Sequence, residues 1–148
     1  MADVAHLAST ALAVPLTYAF DRLSDPQALG RWALGSTGLT PTDLTGVFRG
    51  VSLFDGSAAI VEIVPHRALG LIDYHVGDMM ARSPRVSIRL TSGAEWGQVA
   101  GTSMAALTTW RAAWMTDERW ARTCTTHALE VLLFKSQIET DFRAGVAV

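Results

Sequence analysis

Pro15-Leu16-Thr17-Tyr18-Ala19-Phe20-Asp21-Arg22-Leu23-Ser24-Asp25-Pro26, with Trp32 six residues further on, decides how this chain is read. Leu16, Ala19, Phe20 and Leu23 recur at helical spacing and predict a short helix with an apolar inner side. Pro15 suits its first turn, where a missing N–H costs nothing. Asp25-Pro26 then reads as an N-cap followed by proline at the first helical position, opening a second short helix that runs to about Trp32. Asp21 and Asp25 stand four residues apart, as a catalytic carboxylate pair can. Capping accounts for Asp25 mechanically, and like charges at that spacing create no acid/base chemistry by themselves.

Working outward, His6 to Val14 carries small and β-branched residues without a capping signal and predicts a first strand. Glycines and prolines from Gly35 to Pro41 predict a loop. Leu44 to Phe54, which includes Phe48, and Ser57 to Val64 are strand-like runs around Asp55-Gly56. That dipeptide is expected as a type I′ turn, whose two central positions both need positive φ. Pro65-His66-Arg67 reads as a turn, and Ala68 to Gly77 as a strand with Ile72, Tyr74 and Val76 on one face. Arg85 to Thr91 alternates, with Val86, Ile88 and Leu90 against Ser87, Arg89 and Thr91, so one side faces the core. Ser92 to Gly101 is a longer loop. Thr102 to Met115 is the longest predicted strand, with Met104, Ala106, Thr108, Trp110, Ala112 and Trp114 on one face. Short connections imply antiparallel pairing. From Asp117 onward, Trp120, Cys124, His127, Val131, Phe134, Ile138 and Phe142 draw one stripe over about seven helical turns. Such a helix is expected across the concave side of the sheet.

The 148 residues fit one domain spanning 1–148, long enough to bury on the order of 70% of the surface of the unfolded chain. Twelve basic residues stand against fourteen acidic ones, a net charge of -2 with no basic stripe, so nucleic acid and anionic membrane surfaces are poor partners. Lys135 is the only lysine, a sign of compositional bias. Cys124 is the only cysteine, which excludes an internal disulfide. Ala11-Leu12-Ala13 has the form of a signal-peptidase site. Asp3 stands where a basic region belongs, however, and His6, Ser9 and Thr10 interrupt the apolar run, so no cleaved signal is expected. No window approaches the roughly 18 apolar residues of a membrane span. The expectation is a cytoplasmic protein without membrane insertion.

Val14-Pro15-Leu16-Thr17-Tyr18-Ala19-Phe20, Leu23-Ser24-Asp25-Pro26 up to Trp32, the segment at Gly101-Thr102 and the helix from Thr126 to Glu139 together resemble the START/Bet v1-like (SRPBCC) superfamily. The likeness is to its polyketide cyclase/dehydrase-like and lipid-transport members. It spans nearly the whole chain in element order, while each motif alone mainly reflects capping and packing. The resemblance implies an α+β helix-grip fold, in which a curved antiparallel sheet wraps a long C-terminal helix around an internal cavity, with two short helices after the first strand. It implies no single activity, because members include carriers, cyclases, hydroxylase domains and co-chaperone modules. Two departures stand out. The loop with Trp96 is longer than usual, placing a bulky side chain where it is expected to cover the cavity mouth. Leu129 and Leu133 lie on the far side of the last helix, either under a loop or as a partner surface.

His127, near the middle of the helical stripe, is the sharpest candidate for a ligand contact or a proton-transfer role. An imidazole buried without a partner is unfavourable, so it bonds either to the protein, as a structural residue, or to water or a ligand. Tyr74 is the second catalytic candidate. Trp32, Phe48, Met104, Thr108, Trp110, Trp114, Cys124 and Val131 complete the expected ligand-binding set, with core packing as the alternative reading for the strand residues. Cys124 reads as a small buried residue rather than a nucleophile. Solvent is the expected surrounding of Arg89 and Arg111. His6, His66, His75 and His127 are scattered without metal-binding spacing, and neither a phosphate-cradling glycine loop nor a nucleophile elbow occurs, so no metal or cofactor is expected. The sequence therefore points to a monomer or homodimer that binds a lipid, isoprenoid or aromatic polyketide-like molecule. An aromatase/cyclase-type enzyme and a co-chaperone-like interaction module are the alternatives.

Overall fold

The computed structural model describes residues 3–148. Seven strands, β1 (Ala5–Leu12), β2 (Thr37–Pro41), β3 (Val47–Val51), β4 (Ala58–His66), β5 (Leu71–Gly77), β6 (Arg82–Ser92) and β7 (Ser103–Trp110), pair antiparallel in the order β1-β7-β6-β5-β4-β3-β2. Two short helices, α1 (Leu16–Ser24) and α2 (Pro26–Trp32), follow β1, and the long α3 (Asp117–Arg143) closes the chain. The curved sheet grips α3, which is the helix-grip arrangement. Among the described residues no helix is long and apolar enough to cross a membrane.

Local chemistry sets the helix boundaries. Asp25 ends α1 and begins α2: its N–H donates to the Arg22 carbonyl, and its side chain accepts from the Gln27 N–H at 2.9 Å, with Pro26 at the first helical position. Pro15 stands just before α1 as its N-cap rather than inside it. Thr116 caps α3 by accepting from the Arg119 N–H, and Asp117 and Glu118 fill its electropositive first turn. At 27 residues, α3 runs about 40 Å.

The sheet departs from the sequence reading in several places, and Pro65-His66, read as part of a turn, lies inside β4 opposite Ile72 and Leu71. The expected loop at Gly35 to Pro41 contains β2, an edge strand paired with β3, while Leu44 to Gly46 turns instead of extending β3. Asp55-Gly56 is not a type I′ turn. Only Gly56 has positive φ, and the β3–β4 connection runs from Ser52 to Ser57, with Asp55 accepting from the Ser57 N–H and hydroxyl. The largest correction concerns β7, which stops at Trp110 and presents the opposite face. Ser103, Ala105, Leu107 and Thr109 point inward, and Met104, Thr108 and Trp110 do not. Register is the cause: Leu107 lies opposite Ile88, Ala105 opposite Leu90 and Thr109 opposite Val86, so the apolar face of β6 fixes the inner face of β7.

One half of the grip is filled. Leu12, Leu23, Ile72, Ile88, Leu107 and Phe134 are fully buried together, and Trp32 packs edge-on against Phe134 at 5.2 Å and Tyr74 at 6.3 Å. Arg22 of α1 reaches Asp141 of α3 at 2.5 Å and Asp25 at 3.3 Å, and Arg31 reaches Asp141 at 3.2 Å. Ser103 donates to the Val14 carbonyl, fastening β7 to the chain entering α1.

Candidate functional site

The other half is open. A cavity of about 300 Å³ lies between the sheet and the first half of α3, at the lower end of the volumes typical of small-molecule sites. Leu29, Trp32 and Ala33 come to it from α2 and the residue that follows, Val61, Tyr74, Val76 and Val86 from the strands, and Thr126, His127 and Glu130 from α3. Its mouth is framed by Phe54 in the β3–β4 turn and by Trp114 in the loop before α3, both well exposed. Arg85, Arg119 and Arg122 also line it.

His127 and Glu130 stand one turn apart on α3 and are the buried titratable pair of this half. Burial, with His6 and Arg85 nearby, lowers the His127 imidazole to a pKa of about 4, so it is neutral at pH 7. Its Nδ1 is buried without a hydrogen-bond partner. Burial raises Glu130 to about 7 against the opposing pull of the Leu34 N–H, which donates to Oε1 at 2.8 Å. The remaining carboxyl oxygen, Oε2, lies 3.8 Å from His127 Nε2. This approach is too long for a hydrogen bond. With the imidazole neutral it is no ion pair either. The cavity thus holds a neutral imidazole beside a carboxyl that keeps its proton close to neutrality. Of the two, Glu130 is the group that can gain or lose a proton near pH 7.

Of the residues singled out from sequence, Trp32, Tyr74, Trp114 and His127 line the cavity. Tyr74 contributes its ring only: its hydroxyl donates to the Leu23 carbonyl at 2.7 Å, and complete burial pushes its pKa far up. The Trp32 indole nitrogen is buried without a partner. Val131 packs in the filled core, and Phe48 is half-buried against that core. Neither lines the cavity. Cys124 is half-buried beside α3's inner stripe, its thiol held protonated by burial and by Asp3. Met104, Thr108 and Trp110 are removed from the site by the β7 register, and Trp110 is half exposed on the other face. Trp96 is also displaced. It belongs to a single 3-10 turn, Gly93–Trp96, at the end of the sheet away from the mouth, where its Nε1 donates to Thr91 Oγ1 at 3.1 Å. Leu133 packs on the core, which leaves Leu129 exposed beside Leu132 instead of the expected Leu129–Leu133 patch. Arg89 is exposed as expected, whereas Arg111 is half-buried, bonded to Asp117 at 2.6 Å.

Glu130 and the three arginines were not singled out from sequence. The signal for Glu130 was present, since it stands three residues after His127 and so shares its helix face. Alternation pointed Arg85 away from the site, since it shares the polar row of Ser87, Arg89 and Thr91; the register shift where β5 pairs with β6, which leaves Arg85 without a partner residue, is not visible in the sequence.

No family model and no curated protein sequence matches the chain. Solved structures do. A START superfamily protein from Mycobacterium smegmatis superposes with a TM-score of 0.61 at 9% identity, covering 92% of this chain and 99% of that one. The chain has the START/Bet v1-like fold. The ZhuI aromatase/cyclase from Streptomyces sp. R1128 matches with a TM-score of 0.65 at 15% identity over 97% of this chain and 98% of that one. The Aha1 dimer from Colwellia psychrerythraea gives 0.67 at 15% identity over 93% and 97%. At these identities the START/Bet v1-like likeness is one of fold, and the choice among carrier, enzyme and interaction module rests on this chain's own cavity.

Proposed function

We propose that residues 1–148 form one ligand-binding domain, acting as a monomer or homodimer, that carries or sequesters a small hydrophobic molecule such as a lipid, an isoprenoid or an aromatic polyketide-like compound. The observation that supports this most is the unfilled cavity itself. The same helix and sheet are close-packed around Phe134 yet leave about 300 Å³ open around His127. Apolar walls supply affinity by removing ligand surface from water, and His127, neither of whose ring nitrogens has a hydrogen-bond partner in the protein, fixes orientation. Mass spectrometry of organic extracts from the purified protein tests this reading. A bound hydrophobic molecule, displaced by competing ligands, is expected; a protein that neither retains nor binds one contradicts it.

The His127–Glu130 pair favours a second reading, aromatase/cyclase-type catalysis. A carboxyl poised near neutrality in a desolvated cavity, with a neutral imidazole beside it, is suited to moving a proton off one carbon or oxygen and onto another. The structural neighbour bearing that name supplies the reaction class to assay. With a polyketide-like substrate, Glu130→Gln separates the readings. Loss of turnover at unchanged substrate affinity supports the enzyme, and absence of any turnover in the parent protein supports the carrier.

A further inference from the structure

We propose that the ligand is an amphiphilic anion, its apolar body inside the cavity and a carboxylate or phosphate head held at the mouth by Arg85, Arg119 and Arg122. This rests on the cavity reading above and adds the chemical class of its occupant. All three arginines line the cavity, one from β6 and two from the start of α3. Their neighbours are neutralised: Arg82 bonds Glu62 at 3.0 Å, and Arg111 bonds Asp117 at 2.6 Å. Among the described residues no carboxylate lies within ion-pair distance of Arg85, Arg119 or Arg122.

Aromatic rings lie against these guanidinium groups. Arg85 and Arg119 lie over Trp114 at 5.4 and 5.9 Å, and Arg122 over Phe54 at 4.8 Å. Such contacts use no N–H hydrogen, and a guanidinium retains the donors that bind carboxylate and phosphate in bidentate fashion. Arg85 shows the consequence most plainly. Its Nε is buried with no partner, and its one side-chain hydrogen bond is a weak donation to the Met115 sulfur at 3.7 Å. Burial and the like charge of Arg119 both disfavour its protonated form. The counter-charge at the mouth is Asp55, which is engaged by Ser57.

Displacement of bound N-phenyl-1-naphthylamine by decanoate, decyl phosphate and 1-decanol, which share one alkyl chain, tests the head group directly. An arginine site predicts that at least one anion displaces the probe at roughly tenfold lower concentration than 1-decanol, with the advantage shrinking as sodium chloride is raised. Arg119→Gln combined with Arg122→Gln should remove that advantage without changing the melting temperature, and Arg85→Gln alone should reduce it. Preference between decanoate and decyl phosphate tells a carboxylate head from a phosphate. Equal displacement by all three compounds, or an anion advantage that survives the arginine substitutions, overturns the anion site while leaving the hydrophobic cavity standing. Failure of the folded protein to bind the naphthylamine overturns both.

Discussion

Two buried polar clusters sit toward opposite ends of α3 and differ in how their charges are met. Toward the C-terminal end, both terminal nitrogens of Arg22 are taken by Asp141 and Asp25, Arg31 joins Asp141, and only Arg22 Nε is left over. Aromatic and aliphatic side chains close the space around them. Toward the N-terminal end, His127 Nδ1 and Arg85 Nε have no partner, Glu130 holds its proton, and a cavity remains. Buried polar groups are normally satisfied. The charges of the first cluster are paired within the protein and fasten α1 to α3. The second is left unpaired beside open space, which is what the proposed ligand-binding reading requires.

Breaking the satisfied cluster should have the largest effect. Arg22→Met leaves Asp141 buried with only the half-exposed Arg31 for company, and should cost about 3 kcal/mol, the lower end for a broken buried pair. Urea unfolding reads the loss. Pairing it with Asp141→Leu should recover much of it, because the stranded charge is gone. A double variant no more stable than the single one contradicts the role assigned to the pair. Ligand binding by the folded fraction should persist in either.

The open cluster should reveal itself through pH. Glu130 releases its proton at its ordinary 4.5 when unfolded and at about 7 when folded, so the folded state binds more protons across that window and stability falls as pH rises. His127, at about 4 folded against 6.5 unfolded, has the opposite sign: the unfolded state binds more protons and stability rises with pH. Between pH 4.5 and 6.5 the two contributions oppose each other and nearly cancel. His127→Leu should unmask a falling slope in that interval, and Glu130→Gln a rising one, each approaching roughly 1.4 kcal/mol per pH unit. Stability curves with the same slope in parent and both variants would show that neither group is desolvated as described.

The comparison also explains what was legible beforehand. The two short helices, the Asp25 cap and the long α3 follow from local periodicity and capping, and each appears where the sequence puts it, whereas edge strand β2 was read as a loop. The inner face of β7 does not. Met104 and Trp110 are larger than Ala105 and Thr109, so size favoured the wrong face, and only pairing with Ile88 and Leu90 on β6 settles the direction. The same non-locality hid the arginine mouth, which assembles from β6 and α3 with aromatic rings from two loops. Trp96 misled because its loop length said nothing about which end of the sheet it occupies.

Two smaller effects sharpen the contrast. His127→Leu should leave thermal stability near that of the parent at neutral pH, since it deletes an unpartnered nitrogen, while weakening ligand binding by about 1–3 kcal/mol. Severe destabilisation with intact binding would move His127 into the structural cluster. Asp25→Ala should cost about 1 kcal/mol through the lost cap. Asp25→Ser should restore the capping part but not the contact with Arg22, so calorimetry should place it between the two. If serine and alanine are equally unstable, the cap contributes nothing.

Whether the open half takes up a ligand is tested most directly by titrating the delipidated protein with N-phenyl-1-naphthylamine and following its fluorescence, alongside a Val86→Trp variant that fills the cavity from its β6 wall. A binding cavity predicts saturable, stoichiometric binding with blue-shifted emission in the parent and its loss in the folded variant. Absence of saturable binding in the folded parent, or undiminished binding after the cavity is filled, would contradict it.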